Sequence, residues 1–164
     1  MFSATSISQQ TGIYTSDRSA HNNANAKSRA NSIFQGILAK AAMVRWIYRL
    51  TGRSNRLMDL SELQTAQIVS TRHYAGIQSV QIHQIRGTEG RSNDFDNKFR
   101  PLSERARDRW SSIFVARLNG TAMPAVDLIQ VGERYFVRDG HHRISVAQAF
   151  GEQAIDAHVT VWGF

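Results

Sequence analysis

The sequence contains no cysteine among its 164 residues. Disulfide bonds, thiolate catalysis and cysteine-bound metal sites are therefore excluded. The absence fits a reducing compartment, and we expect a cytoplasmic protein. No apolar run approaches the ~20 residues that a membrane-spanning helix needs, so no membrane span is predicted. Hydrophobic residues make up 41% of the chain, which is enough for the core of one domain.

Acidic residues are almost missing from the first third of the chain. Residues 1–56 hold eight Lys and Arg against one acid, Asp17, whereas the twelve basic and twelve acidic residues from Asp59 onward balance each other. The net charge of +7 therefore belongs to the N-terminal part. Because a basic segment can bind phosphate backbones by itself, DNA binding through residues 18–56 is one open hypothesis.

The first 75 residues read as an arm followed by helices. Residues 1–30 are rich in Ser, Asn and Ala without a sustained apolar period, which predicts a disordered basic arm. Residues 31–75 are predicted to form a helical extension. Its first helix, "NSIFQGILAKAAMVRWIYRLTG", repeats apolar residues every three or four positions and ends at Gly52. This helix can dock on the domain, lie on a membrane surface or contact nucleic acid.

Residues 76–164 are predicted to form an α+β domain with a small mixed sheet. The order of patterns is strand, loop, helix, strand, strand, helix, strand. The first helix, "LSERARDRWSSIFVARLNG", carries Trp110 on its apolar side, so we expect this ring in the core. Glycines end the two helices, at Gly120 and Gly151.

In the stretch "VRDGHHRISVAQAFG", residues that could bind a ligand lie between a predicted strand and a predicted helix. Gly140 permits a left-handed backbone and the close approach of a ligand. The free N–H groups that open the next helix attract an anion, most naturally a phosphate. His141 and His142 add donors, and Arg143 adds a bidentate charge. The alternative is structural, since Arg143 can simply pair with Asp139.

Two motifs resemble the ParB/sulfiredoxin superfamily. In "VRDGHHRISVAQAFGEQAIDAHVTV", Gly140, His142 and Arg143 match the G, H and R of the sulfiredoxin pattern GCHR. "VQIHQIRGTEGRSNDFDNKF" is similar to the opening motif of partition proteins, with Arg91 at its arginine and Glu89 at its glutamine. The combination looks like stand-alone bacterial ParB-like proteins, to which the label of nuclease domain is often attached.

This resemblance implies a ParB/sulfiredoxin-like fold with a nucleotide phosphate site. The implied ligand is a nucleoside triphosphate or diphosphate, such as ATP or CTP, with Mg²⁺. A nucleotide hydrolase or phosphotransferase would use Glu89 or Asp139 as its base. The implied phosphate-binding residues are Gly140, His141, His142, Arg143 and Arg91.

Two departures from the superfamily limit the functional hypotheses. The chain has no cysteine, which excludes the known sulfiredoxin reaction. No helix-turn-helix pattern follows the last strand, so a centromere-binding role is not expected. The main alternative is a non-enzymatic DNA-binding or regulatory module that uses the basic N-terminal segment. A nuclease is the least favoured hypothesis.

Other polar clusters have ordinary structural explanations. Asp94 and Asp96 could face a metal together, although such a pair more often caps a turn. Histidine spacing is not diagnostic of zinc, and no metal site is predicted. The mixed charges around Arg109 on the Trp110 helix are expected to be solvated.

Overall fold

The computed structural model of the protein describes residues 11–66 and 70–163. Two short 3₁₀ segments, Ile82–Gln84 and Glu104–Ala106, connect some of its helices and strands. In chain order the elements are α1 (Thr11–Leu50), β1 (Met58–Asp59), α2 (Leu60–Ala66), β2 (Thr71–Gln81), β3 (Ile85–Thr88), α3 (Arg107–Leu118), β4 (Val126–Val131), β5 (Arg134–Asp139), α4 (His141–Ala149) and β6 (Ala154–Gly163).

The strands form one mixed sheet in the order β1-β3-β5-β4-β6-β2. β1, β3 and β5 are parallel neighbours, so their carboxyl ends lie at one edge of the sheet. Asp59, Thr88 and Asp139 end these three strands, and Asp59 is directly beside Thr88 in the register. β4 is antiparallel to β5 and parallel to β6, while β2 closes the far edge antiparallel to β6.

The two faces of the sheet bury alternate residues of each strand, as the pleat requires. On β4, Leu128 belongs to the core cluster under α4, which includes Ile144. Its neighbour Ile129 belongs to the opposite cluster, together with Phe136 and with Leu60 of α2. Helices therefore cover both faces, and the predicted α+β domain with a mixed sheet is confirmed.

α1 packs on the domain through its middle turns. Ala30 and Phe34 are fully buried, and the centroid of the Phe34 ring lies 5.7 Å from that of the Trp110 ring on α3. The Ser111 hydroxyl donates to the Asn31 side chain at 2.8 Å. Trp110 is fully buried, which confirms its expected place in the core.

The helix begins earlier than the composition predicts. It starts at Thr11, so residues 11–30 are helical rather than part of a disordered arm; residues 1–10 lie outside the described part. Apolar periodicity detects only the turns that pack, from Ala30 onward. Once those turns are fixed, extending the helix costs little free energy, because nucleation is the unfavourable step in helix formation.

The predicted boundary at residues 75/76 differs from the structure. β2 already begins at Thr71, and β1 lies inside the segment predicted to be only helical. The predicted strand "IQSVQIHQI" is divided, since the 3₁₀ turn at Ile82 separates β2 from β3. β2 is a mostly exposed edge strand, and a bulge near Gly76, at φ 87°, interrupts its alternation.

The remaining predicted elements from residue 100 onward are confirmed, including the β4–β5 hairpin, α3, α4 and β6. Left-handed glycines follow the helices where expected, at Gly52, Gly120 and Gly151. Within residues 11–66 and 70–163, none of the helices combines the length and the hydropathy of a bilayer-crossing segment.

Candidate functional site

The candidate site lies where β3 and β5 end and α4 begins. Gly140 joins β5 to α4 with φ 100° and ψ 16°, a left-handed conformation. A β-carbon at this position would lie 2.5 Å from Cγ1 of Val126. The first helical hydrogen bond runs from the Ile144 N–H to the Gly140 carbonyl, so the N–H groups before Ile144 are left out of the helix ladder.

His141 is buried beneath this turn. Its Nε2 lies 2.7 Å from Oγ1 of Thr88, and its ring stacks on Phe95 with a centroid distance of 5.6 Å. The ring of His142 meets the same Phe95 edge-on at 5.2 Å. Burial, the largest cause, acts together with the positive charges of Arg91 and of a protonated His142 to lower the pKa of His141 to about 4. The imidazole is therefore neutral at neutral pH.

His142 is half-buried and also neutral. Burial is the largest cause that lowers its pKa to about 4, followed by the positive charges of Arg109 and Arg91. The carboxylates of Asp94 and Asp139 act in the opposite direction. The neutral imidazole of His142 can both donate and accept hydrogen bonds.

Arg143 has a structural position. Its guanidinium donates to the carbonyl oxygens of Pro124 at 2.8 Å and Ala125 at 2.6 Å, and to Asp139 at 2.7 Å. These bonds tie the first turn of α4 to the chain that enters β4. The pairing with Asp139 that the sequence allowed is therefore present, and the hydrogen bonds of the Arg143 guanidinium are made within the protein.

Glu89 and Arg91 lie in the loop after β3 but do not pair with each other. Glu89 accepts a hydrogen bond of 2.8 Å from Arg138 on β5, and the Glu89 N–H donates to the Val137 carbonyl. Arg91 lies 3.9 Å from Asp94, with both side chains more than half exposed. An ion pair so exposed is weak, so the Arg91 charge remains accessible to an anion.

Arg109 is a site residue that the sequence pattern did not indicate. It is near enough to lower the pKa of His142, and it forms no ion pair within residues 11–66 and 70–163. The neighbouring Trp110 donates to the Ser145 hydroxyl at 3.0 Å, which joins α3 to the middle of α4. Contacts between α3 and α4 such as this one, which a local sequence pattern does not reveal, fix where Arg109 lies relative to the start of α4.

The second aspartate of "NDFDNKF" organises its own loop. Asp96 is fully buried and accepts hydrogen bonds from the N–H groups of Lys98 and Arg100, and from Nε of Arg100 at 2.7 Å. This is the turn-capping role that such a pair usually has. In the described part of the chain, no three His, Asp or Glu residues are grouped so that they could hold a metal ion.

Comparison with known proteins shows a similarity to a solved structure. No family model matches the sequence, and no curated protein matches it. A sulfiredoxin from Arabidopsis thaliana is similar in structure. The match has a TM-score of 0.37 and 20% identity, and it covers 51% of this chain and 82% of that one.

Proposed function

We propose that the chain binds the phosphate groups of a nucleoside triphosphate or diphosphate at the beginning of α4. The observation that carries the proposal is the left-handed turn at Gly140, after which the N–H groups before Ile144 are left out of the helix ladder. Arg109 is an exposed cation without an acidic partner in the described residues, and its charge lowers the pKa of His142. Arg91 adds a second accessible charge. The uncommitted N–H groups of the helix and its dipole favour an anion at the same point.

Turnover is a second part of this proposal. A phosphoryl-transfer site needs cations around the transferred group and a base that orients the attacking hydroxyl or water. Glu89 and Asp139 lie at the same sheet edge, and each is oriented by an arginine, Arg138 or Arg143. Mg²⁺ enters the proposal as a partner of the nucleotide phosphates. The candidate reactions are nucleotide hydrolysis and phosphoryl transfer.

Calorimetry with a pair of matched variants tests the binding site. Wild type is titrated with ATP, ADP, CTP and GTP, with and without Mg²⁺. Arg109→Gln removes the charge beside His142, and Arg107→Gln removes the same charge from an exposed pair with Asp108 on the same helix. We expect Arg109→Gln to weaken binding about 10- to 100-fold, the effect of one charge-assisted hydrogen bond, and Arg107→Gln to leave it nearly unchanged.

Proton uptake on nucleotide binding provides a second, independent test of the same site. An anion beside His142 favours its charged form, so binding should raise the low pKa of this ring. Titrations at pH 6 in buffers of different ionisation enthalpy should then reveal proton uptake, and His142→Gln should reduce it. The proposal fails if none of the four nucleotides binds, or if Arg109→Gln and Arg107→Gln behave alike.

A further inference from the structure

A second basic site lies in a groove at the end of α1, bordered by the loop after β3. The groove has a volume of 540 Å³. Its lining includes half of the basic residues that precede Asp59, and these are Arg45, Arg49, Arg53 and Arg56. None of the four forms an ion pair with any residue in the described ranges. Such a cluster of unpaired arginines is costly through self-repulsion unless an anion joins it.

The arginines form a row. Arg45, Arg49 and Arg53 recur every four residues, so the two on α1 are separated by ~6 Å along the helix axis. A row of charges matches a linear polyanion, in which each cation meets a different phosphate. The groove is walled by Asn93 and Leu102 from the loop after β3. A strand can lie in such a groove, whereas a flat lipid surface contacts only protruding side chains.

The end of α1 does not repel an anion as a bare helix terminus would. The carbonyl oxygens of its last turn already accept backbone hydrogen bonds: Ile47 from Thr51, Tyr48 from Arg53, and Arg49 from Gly52. The Thr51 hydroxyl also donates to the first two of these carbonyls. With these acceptors satisfied, the negative end of the helix dipole is reduced at the groove.

Asn55 gives independent support for a ligand. It lines the groove, is only 7% exposed, and its side-chain Nδ2 has no hydrogen-bond partner. Its backbone position is secure, because its carbonyl accepts from the Asn97 N–H at 2.7 Å. A buried amide donor left unsatisfied is unfavourable, and an anionic oxygen in the groove would satisfy it.

Aromatic rings accompany the charges. Tyr48 lines the groove, and Trp46 is 63% exposed on α1, three residues before Arg49 and so on the neighbouring part of the helix surface. Positive grooves with exposed aromatic rings are the usual means of holding single strands, whose unpaired bases stack on the rings.

We propose that this groove binds the phosphate backbone of a single-stranded nucleic acid, with Asn55 donating to a phosphate oxygen. The groove shares the loop after β3 with the site at α4 but uses different side chains, and the proposal does not depend on nucleotide binding there. A fluorescein-labelled 20-nucleotide single strand, as DNA and as RNA, serves as the probe in anisotropy titrations of the full chain. Affinity should fall with salt, with a log–log slope of about −2 to −3 for the neutralisation of three or four phosphates.

Three variants locate the binding. Arg49→Gln should reduce the magnitude of the salt slope by about 0.7, the expected share of one phosphate contact. Asn55→Asp keeps the shape but places a negative charge among the arginines, and should weaken binding at least tenfold. Arg29→Gln removes an exposed charge from α1, sixteen residues and ~24 Å before Arg45, and should change little. Melting temperatures confirm that each variant is folded.

Several outcomes overturn the proposal. These are tighter binding to a 20-base-pair duplex than to the single strand, equal losses in Arg29→Gln and Arg49→Gln, and unchanged affinity in a folded Asn55→Asp variant. Retention on anionic phosphatidylserine vesicles without nucleic-acid binding would assign the groove to a membrane instead. Nucleotide titrations of Asn55→Asp separate the two sites, because ATP affinity at α4 should be unaffected.

Discussion

The Nε2 atom of His141 on α4 lies 2.7 Å from the hydroxyl oxygen of Thr88 at the end of β3, and both side chains are buried. The same hydroxyl accepts the N–H of Arg91 at 3.2 Å. One threonine therefore connects a strand end, the loop that carries Arg91, and the helix that opens the candidate site. Burial opposes protonation of His141 in this arrangement and is the largest cause that lowers its pKa.

Acid should therefore destabilise the fold through His141. Its folded-state pKa of about 4 lies below the ordinary value of 6.5, so the unfolded chain binds the proton more readily. The free energy of unfolding should be fully retained above pH 6.5 and fall as the pH drops towards 4, by at most about 3 kcal/mol from this residue. Urea unfolding at pH 7.5 and 4.5 measures the loss. It should be smaller in His141→Gln, and equal losses would contradict this account.

Removing Arg143 should cost stability before it affects ligand binding. Its guanidinium holds two carbonyl oxygens and Asp139. Arg143→Ala should lower the free energy of unfolding by about 1.5–3 kcal/mol, as expected for charge-assisted hydrogen bonds whose acceptors lose their partner. Chemical denaturation gives this value. If stability is unchanged and nucleotide affinity collapses, Arg143 contacts the phosphate directly, as the sequence motif implied.

Glu89→Gln tests whether the carboxylate acts as a base. The amide keeps the shape and can still accept the hydrogen bond from Arg138, but it cannot take a proton. We expect nucleotide affinity close to wild type and a 10²–10⁴-fold loss of turnover, measured as phosphate release. Asp139→Asn is the matched comparison at the same sheet edge. Undiminished turnover in Glu89→Gln would remove Glu89 from the mechanism.

Gly140→Ala should destabilise the turn into α4. The new methyl group would collide with Val126, and the left-handed φ of 100° adds backbone strain. The two effects together predict a loss of about 2–4 kcal/mol. Gly36→Ala provides the control, because Gly36 lies within α1 with no atom near its missing β-carbon. That variant should be stabilised by about 0.5–1 kcal/mol, so similar melting temperatures for both variants would refute the argument.

Local patterns were sufficient for elements that bury a regular face. The α3 helix, the β4–β5 hairpin and α4 follow directly from apolar spacing and from glycines such as Gly151. β1 could not be predicted in this way, because a strand of two residues is too short to show an alternating pattern. It is defined only by its pairing with β3. The first turns of α1 were missed for the related reason that they lack an apolar face.

The candidate site was predictable where its residues are close in sequence. The turn at Gly140 and the pair His141 and His142 form one local motif, although the burial of His141 was not predicted. The pairing of Asp139 with Arg143 follows from their four-residue spacing on adjoining elements. Arg109 required knowledge of how α3 crosses α4, which depends on the fully buried Trp110 rather than on any nearby charge.

The ring of Phe95 lies against both histidines, nearly parallel to His141 at 22° and nearly perpendicular to His142 at 83°. The two imidazoles therefore sample different parts of the magnetic shielding around a single benzene ring. If the loop that carries Phe95 shifts when a ligand arrives, the carbon-bound protons of both imidazoles will change their resonance frequencies together. Proton NMR of the two imidazoles can therefore report such a movement without any added label.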